Sequence, residues 1–239
     1  MENYLVKTLV VIPTYNEEGR IGQVIDEIKS TLPLCKVAAI NDYSRDDSEA
    51  EAKAHGAIVI NHPYNMGYSA ALLTGLGYAL NKGYEYVVFF DGDGQHIAAE
   101  VKELYKQMAS QDADMIIGSR FLKPSDYHHG AFKTMGTKLF STLIKLFTKK
   151  KVTDPTSGFQ LLNRKAIACY LEIAGYLDYP DANLIVAMIK KGIKLSEVAV
   201  KMRSREDGES MHGGIWKPIS YMVLVVYSVL LAALTRNKG

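Results

Sequence analysis

The chain has 239 residues, 48% hydrophobic and 23% charged, with a formal net charge of +2. That length allows one large domain or two small ones with a proper core, and the near-neutral balance excludes a nucleic-acid binder that works by bulk positive charge. Two cysteines, Cys35 and Cys169, lie far apart with no CxxC, so neither a disulfide framework nor a zinc site is indicated and a reducing compartment is the default. The opening MENYLVK is too short and too polar for a signal peptide. In chain order, TLVVIP (8–13) reads as a strand, and Glu17–Ser30 has helical spacing through Ile21, Val24, Ile25 and Ile28. KVAAIND (36–42) is a second strand, Ser48–His55 a helix, AIVINH (57–62) a third strand and Ser69–Asn81 a helix of small residues. YVVFFD (86–91) is a fourth strand, Val101–Ser110 a helix and DMIIGSR (114–120) a fifth strand. Further on come Ala131–Lys151, an amphipathic stretch with Phe132, Met135, Leu139, Leu143 and Phe147 on one face and lysines on the other, then DPTSGF (154–159). Helices follow from about Arg164 and across Asp181–Lys191, and KLSEVAVKM (194–202) alternates as a strand.

Repeated βα order with near-continuous apolar strands predicts an α/β fold, a mostly parallel sheet covered on both faces. The basic stretch at 131–151 reads either as a membrane-surface helix or as a core-facing helix with a solvated lysine face. Ile219–Thr235 is seventeen residues without a charge, with Trp216 and Lys217 before it and Arg236 and Lys238 after it. A spanning helix wants roughly 20 apolar residues, with a lower limit of about 17, and aromatic and cationic flanks suit a membrane interface. The expected organisation is a catalytic domain over 1–212 and an apolar membrane-associated segment over 213–239.

Ligands of parallel sheets bind beyond the carboxyl ends of the strands, and the unusual residues of this chain fall there. Pro13–Glu17 follow the first strand, Asp42 the second, and Asp91 and Asp93 the fourth, within VVFFDGDGQH (87–96). In an extended backbone side chains at i and i+2 share a face, so these carboxylates converge and call for a cation. Mg²⁺ or Mn²⁺ takes oxygen ligands, often one or two carboxylates plus a substrate's phosphates. Three other nucleotide or metal sites are excluded. The first strand is followed by PTYNEEG rather than GxGxxG, GxxxxGK[ST] is absent, and an EF-hand loop from Asp91 would place Lys102 where a glutamate belongs. What remains is a site made of side chains. Asp42 suits a base N–H, Tyr15 offers a stacking face, and NMGYSAALLTG (65–75) puts small residues at a helix start that favours an anion.

In this order, VVIPTYNEE, the Asp of INDYSRDDS, NMGYSAALLTG, DGDGQH, GSRF and DPTSGF resemble glycosyltransferase family 2, with the GT-A (Rossmann-like) fold. DGDGQH, GSR, DPTSGF and the later Arg205, Gly208 and Ser210 resemble its polyprenyl-phosphate branch, which includes dolichol-phosphate mannose synthase. The resemblance implies that Pro13, Tyr15, Glu17 and Asp42 hold the nucleoside, with Asn65 and Gly67 on the donor side. It implies that Asp91 and Asp93 hold the metal, assisted by Gln95, and that Arg120, Arg203, Arg205 and Ser210 meet the acceptor phosphate or the closing donor. The chain departs from the branch at Asp181 and Asn183, at EVAV (197–200), and at His128, His129 and Lys133.

Such an enzyme moves a sugar from a UDP-sugar, in preference to a GDP-sugar, onto polyprenyl phosphate for cell-envelope glycan synthesis. Negative charge builds on the leaving diphosphate, where a metal acts as a Lewis acid and arginines add bidentate contacts. An ionised lipid phosphate needs positioning more than a base, whereas a sugar hydroxyl needs a base. Asp154 is the residue expected as base or positioner, its alternative being a turn aspartate before Pro155. Single displacement inverts the anomeric carbon. Competing readings are transfer to a hydroxyl of a polysaccharide or glycolipid, a non-catalytic nucleotide-sugar-binding membrane subunit, and a plain nucleotidyltransferase. The expected setting is the cytoplasmic face of a membrane, with the apolar tail covered by lipid, self-association or a small membrane partner.

Overall fold

In the computed structural model, residues 2–122, 131–174 and 182–203 are described, with 131–135 as backbone only. The strands are β1 (Thr8–Thr14), β2 (Lys36–Asn41), β3 (Ile58–Asn61), β4 (Tyr86–Phe89), β5 (Met115–Ser119), β6 (Gln160–Asn163) and β7 (Leu195–Ala199). The helices are α1 (Glu2–Leu5), α2 (Ile21–Thr31), α3 (Ser48–Ala54), α4 (Tyr68–Asn81), α5 (Val101–Gln111), α6 (Ala131–Thr148), α7 (Arg164–Ala174) and α8 (Ala182–Lys190). They build a sheet of order β3-β2-β1-β4-β6-β5-β7. Every strand pair is parallel except the two made by β6, which runs antiparallel to both β4 and β5.

Alternation along the strands produces the two faces. Leu9 and Val11 of β1, Ala38 and Ile40 of β2, and Val87 and Phe89 of β4 face one core, shared with α4, α7 and α8. Val10, Ile12, Val37, Ala39 and Val88 face the other, with α2 and α5. Burial on both sides is why these strands read as continuous apolar runs. The chain progresses from β1 to β2 to β3, then returns so that β4 lies on the other side of β1. That reversal opens a crevice between the carboxyl ends of β1 and β4, the ligand position in open α/β sheets.

Helix α4 crosses β1 at Gly75, where an added Cβ would lie on the side chain of Val11. Gly75→Ala is expected to destabilise the fold by about 1–2 kcal/mol, because overpacking a core costs about 1–3 kcal/mol and alanine's helix propensity recovers only about 1. A thermal melt checks this; an unchanged midpoint would mean that α4 can lift off β1 at no cost.

Two elements are not legible in the sequence pattern. The strand β6 has only four residues between a loop and α7, too few to display a period, and α1 is a single turn. Residues 131–148 of that stretch form α6, which buries Phe140 and Ile144, packs Leu143 and Phe147 against the core, and leaves Lys138 and Leu146 exposed together with Leu139, which the spacing had placed on the apolar face. Its core-facing side is therefore observed. Among the described residues no helix is long and apolar enough to cross a membrane. The apolar 219–235 segment, the 212/213 boundary, and Arg205, Ser210, His128, His129 and Asp181 lie outside the described residues.

Candidate active site

The loop after β1 is stitched to the loop after β2 and to the start of α3. Asn16 donates its N–H to Ser44 Oγ (3.1 Å), Glu17 to Ser48 Oγ (2.7 Å), Glu18 to Asp46 Oδ2 (3.1 Å) and Gly19 to Glu51 Oε2 (2.6 Å). Four successive amides are thus consumed by side chains, so PTYNEEG is a braced wall and not a phosphate cradle. Pro13 is partly buried in β1, Tyr15 is exposed at the rim, and Glu17 pairs with Arg20 at 2.8 Å.

Asp42 follows β2 and is buried. Its Oδ1 accepts the Met66 N–H (2.7 Å) and His62 Nδ1–H (2.7 Å), and its Oδ2 accepts the Gly67 N–H (2.8 Å). Because the carboxylate accepts, His62 carries its proton on Nδ1, and Nε2 receives the Thr74 hydroxyl at 2.8 Å. A carboxylate oxygen accepts two donors, so Oδ2 keeps capacity for a base N–H. The first duty of Asp42, however, is to hold the 62–67 loop and the start of α4. Gly67 there has φ 88°, a left-handed conformation suited to glycine, and Asn65 is exposed beside it.

The Asp91-Gly92-Asp93 element, a DxD motif, corrects one premise. Strand β4 ends at Phe89, so Asp91 and Asp93 sit in a turn, with Gly94 at φ 78°, and not on one face of a strand. The loop that carries them is organised by the turn and by His96. The Asp91 N–H donates to His96 Nδ1 (3.0 Å), and Asp93 Oδ1 accepts the Gln95 N–H (3.0 Å). His96 is buried between Phe90 and Phe159, with ring centroids 5.2 and 4.7 Å away. Burial lowers its pKa, against the upward pull of both the Asp91 and Asp93 carboxylates. A neutral imidazole thus pins the loop and feels both acids. The hydroxyl of Tyr68 donates to Asp91 Oδ1 at 3.1 Å.

Among the described residues no group of three or more His, Cys, Asp or Glu side chains could hold a metal. The pair Asp91 and Asp93 still fits a hard divalent cation that takes its other ligands from phosphate and water. Space supports this: Gly158 faces Asp91 so closely that a Cβ there would come within 3.2 Å of Oδ2 and 3.4 Å of Oδ1.

Beyond β5, Arg120 meets Asp154 through Nε (2.7 Å to Oδ2) and Nη2 (2.8 Å to Oδ1), and its N–H donates to Oδ2 (3.0 Å). Asp154 is fully buried. Glu197 of β7 accepts the N–H groups of Thr153 (2.7 Å) and Asp154 (2.9 Å) and the Thr153 hydroxyl (3.0 Å). Burial, the dominant influence, raises the Glu197 pKa. Both Asp154 oxygens are bound by Arg120, a geometry that favours the positioner of the two expected roles. Arg203 reaches the loop of Asp91 and Asp93 from the end of the described chain. Its Nη1 donates to Glu27 Oε2 (2.8 Å), and its N–H donates to the Gln95 carbonyl (2.8 Å), bracing the DxD loop.

Sequence reasoning does not single out Tyr68, His62, His96 or Glu197. His96 lies inside DGDGQH and Tyr68 inside NMGYSAALLTG, but only the fold reveals that both touch Asp91.

An uncharacterized Methanocaldococcus jannaschii protein is 31% identical over 197 residues, 80% of this chain and 79% of its own. Polyprenol monophosphomannose synthase of Mycolicibacterium smegmatis is 26% identical, covering 87% of this chain and 82% of its own length. Undecaprenyl-phosphate mannosyltransferase of Micrococcus luteus is also 26% identical, over 88% and 89%. Glucosyl-3-phosphoglycerate synthase of Mycobacterium tuberculosis, solved with Mn²⁺, UDP and glucosyl-3-phosphoglycerate, superposes with a TM-score of 0.69 at 20% identity, covering 100% of this chain and 86% of that one. That likeness establishes a shared GT-A fold. The family model described as glycosyl transferase family 2 matches residues 9–171, and with the DxD loop at the β1/β4 crevice the chain belongs to that family.

Proposed function

We propose that this chain is an inverting, metal-dependent glycosyltransferase that moves a sugar from a nucleotide-diphosphate sugar, a UDP-sugar in preference to a GDP-sugar, to polyprenyl phosphate. The observation that carries the choice of acceptor is Asp154. A hydroxyl acceptor requires a base, yet the acid expected in that role is fully buried and bound through both oxygens to Arg120. An ionised phosphate needs no such base. The names of two relatives, a polyprenol monophosphomannose synthase and an undecaprenyl-phosphate mannosyltransferase, support the same acceptor class.

In this reading the nucleoside lies over the wall formed by Pro13–Glu17 and the rim of Asp42, with Tyr15 against the base. Asp91 and Asp93 hold Mg²⁺ or Mn²⁺, which supplies Lewis-acid stabilisation of the leaving diphosphate when bound. Asp154 and Thr156 orient the Arg120 guanidinium, so its charge faces developing phosphate charge without reorganisation. Arg203 braces the metal loop through the Gln95 carbonyl. Arg205 and Ser210 are assigned to the acceptor phosphate. The 219–235 segment anchors the enzyme at the cytoplasmic face of a membrane, alone or with a small membrane partner or a second copy.

The test is a transfer assay with purified protein in detergent, Mn²⁺ or Mg²⁺, and a panel of UDP- and GDP-sugars. Undecaprenyl phosphate and a lipid-linked oligosaccharide are offered as separate acceptors. Product on the phosphate alone is expected; product on the oligosaccharide hydroxyl alone would overturn the proposal.

A further inference from the structure

The metal carboxylate Asp91 is gripped by residues outside its own loop as well as within it, and none of them is one of the two DxD acids. Tyr68, the first residue of α4, donates its phenol O–H to Asp91 Oδ1 at 3.1 Å. The Asp91 N–H is fixed on His96 Nδ1 at 3.0 Å, which places the imidazole proton on Nε2, 3.4 Å from Asp91 Oδ2. Gly158, from the DPTSGF loop, closes the third side. A Cβ there would stand 2.9 Å from the Tyr68 hydroxyl oxygen and 3.2 Å from Asp91 Oδ2.

The position of Tyr68 is itself set from the nucleoside side. Asp42 binds the N–H groups of Met66 and Gly67, which fixes where α4 begins and therefore where the phenol points. One chain of contacts runs from the end of β2 through the start of α4 to the end of β4. A neutral phenol suits the role. It holds one carboxylate oxygen in a fixed rotation without cancelling the charge that attracts a cation, as an arginine or lysine would.

We propose that Tyr68, seated against Gly158, is a positioning residue for Asp91: it orients the metal-binding carboxylate and couples it to the Asp42 side of the donor pocket. The inference rests on the metal-donor reading above and extends it to residues that the DxD motif does not contain. Outer partners of metal ligands typically account for about 10–100-fold in metal affinity.

The test is Mn²⁺ affinity in the presence of UDP, read by Mn²⁺ paramagnetic resonance or calorimetry on the full-length wild type, Tyr68→Phe, Gly158→Ala and the double variant. Tyr68→Phe keeps the ring and removes only the hydroxyl. Its Mn²⁺ affinity is expected to fall about 10-fold, with UDP binding in the absence of metal unchanged. Gly158→Ala is expected to weaken Mn²⁺ binding as well, but to add less in the Tyr68→Phe background, because the closer of its contacts, with the hydroxyl, is gone while the 3.2 Å approach to Asp91 Oδ2 remains. Non-additivity reports only that the two sites touch; the readout a merely structural role would not produce is loss of Mn²⁺ affinity with metal-free UDP binding retained. Mn²⁺ affinity of Tyr68→Phe within about twofold of wild type, equal loss of metal-free UDP binding, or fully additive effects would each overturn the inference. Absence of Mn²⁺ uptake by the wild type would overturn the donor reading itself, and the inference with it.

Discussion

Asp93→Ala is expected to lower sugar transfer by about 100–1,000-fold while leaving the fold intact. The Asp93 carboxylate is partly exposed, and it accepts the Gln95 N–H within its own turn. Losing a contact of that kind costs about 1 kcal/mol of stability. The charge it offers to a cation at the leaving diphosphate is another matter. Lewis-acid stabilisation of the transition state is worth several kcal/mol, and each ~1.36 kcal/mol is tenfold in rate. Steady-state kinetics at saturating Mn²⁺ should therefore show a large fall in kcat/KM beside a melting temperature shifted by only a few degrees. Asp93→Asn, which keeps the shape and removes the charge, should resemble the alanine variant in rate. Transfer at the wild-type rate by Asp93→Ala would remove the metal from the mechanism.

Asp154→Ala should do the reverse in part, damaging stability and activity together. Its carboxylate is fully buried and makes a two-pronged ion pair with Arg120. Removing one member of a buried pair costs about 3–5 kcal/mol, since the remaining charge is left uncompensated. For a chain of this size each kcal/mol moves the midpoint by about 2–4 °C, so a fall on the order of 10 °C is expected. Activity should fall with it, because Arg120 loses the partner that orients it. Glu197 binds the backbone of Thr153 and Asp154, so part of the scaffold survives and the protein should still fold at low temperature. A rate loss with an unchanged melting curve, accompanied by disappearance of the acidic limb of the pH profile, would return Asp154 to the role of base.

Together the two variants separate residues that act on charge in the reaction from residues that hold such groups. Tyr68, His96, Asp154 and Glu197 all belong to the second kind. Apart from His96, none follows the carboxyl end of β1, β2 or β4, where strand-end reasoning looks for function. They come from the start of α4, the loop after β4, the 154–159 loop and β7, and they meet only through the crossovers of the sheet.

The amino-acid sequence by itself determined the alternating βα order, the two-sided burial of β1, β2 and β4, and the placement of Asp42, Asp91 and Asp93 near the strand ends. These are local properties, carried by side-chain period and by turn residues. The tertiary structure alone decided that β6 runs antiparallel into the sheet, that the two acids lie in a turn and not on a strand, that Arg203 braces the loop, and that Asp154 serves Arg120. Each of these depends on partners brought together from distant segments of the chain, and periodicity carries no record of which distant side chain will satisfy a buried charge.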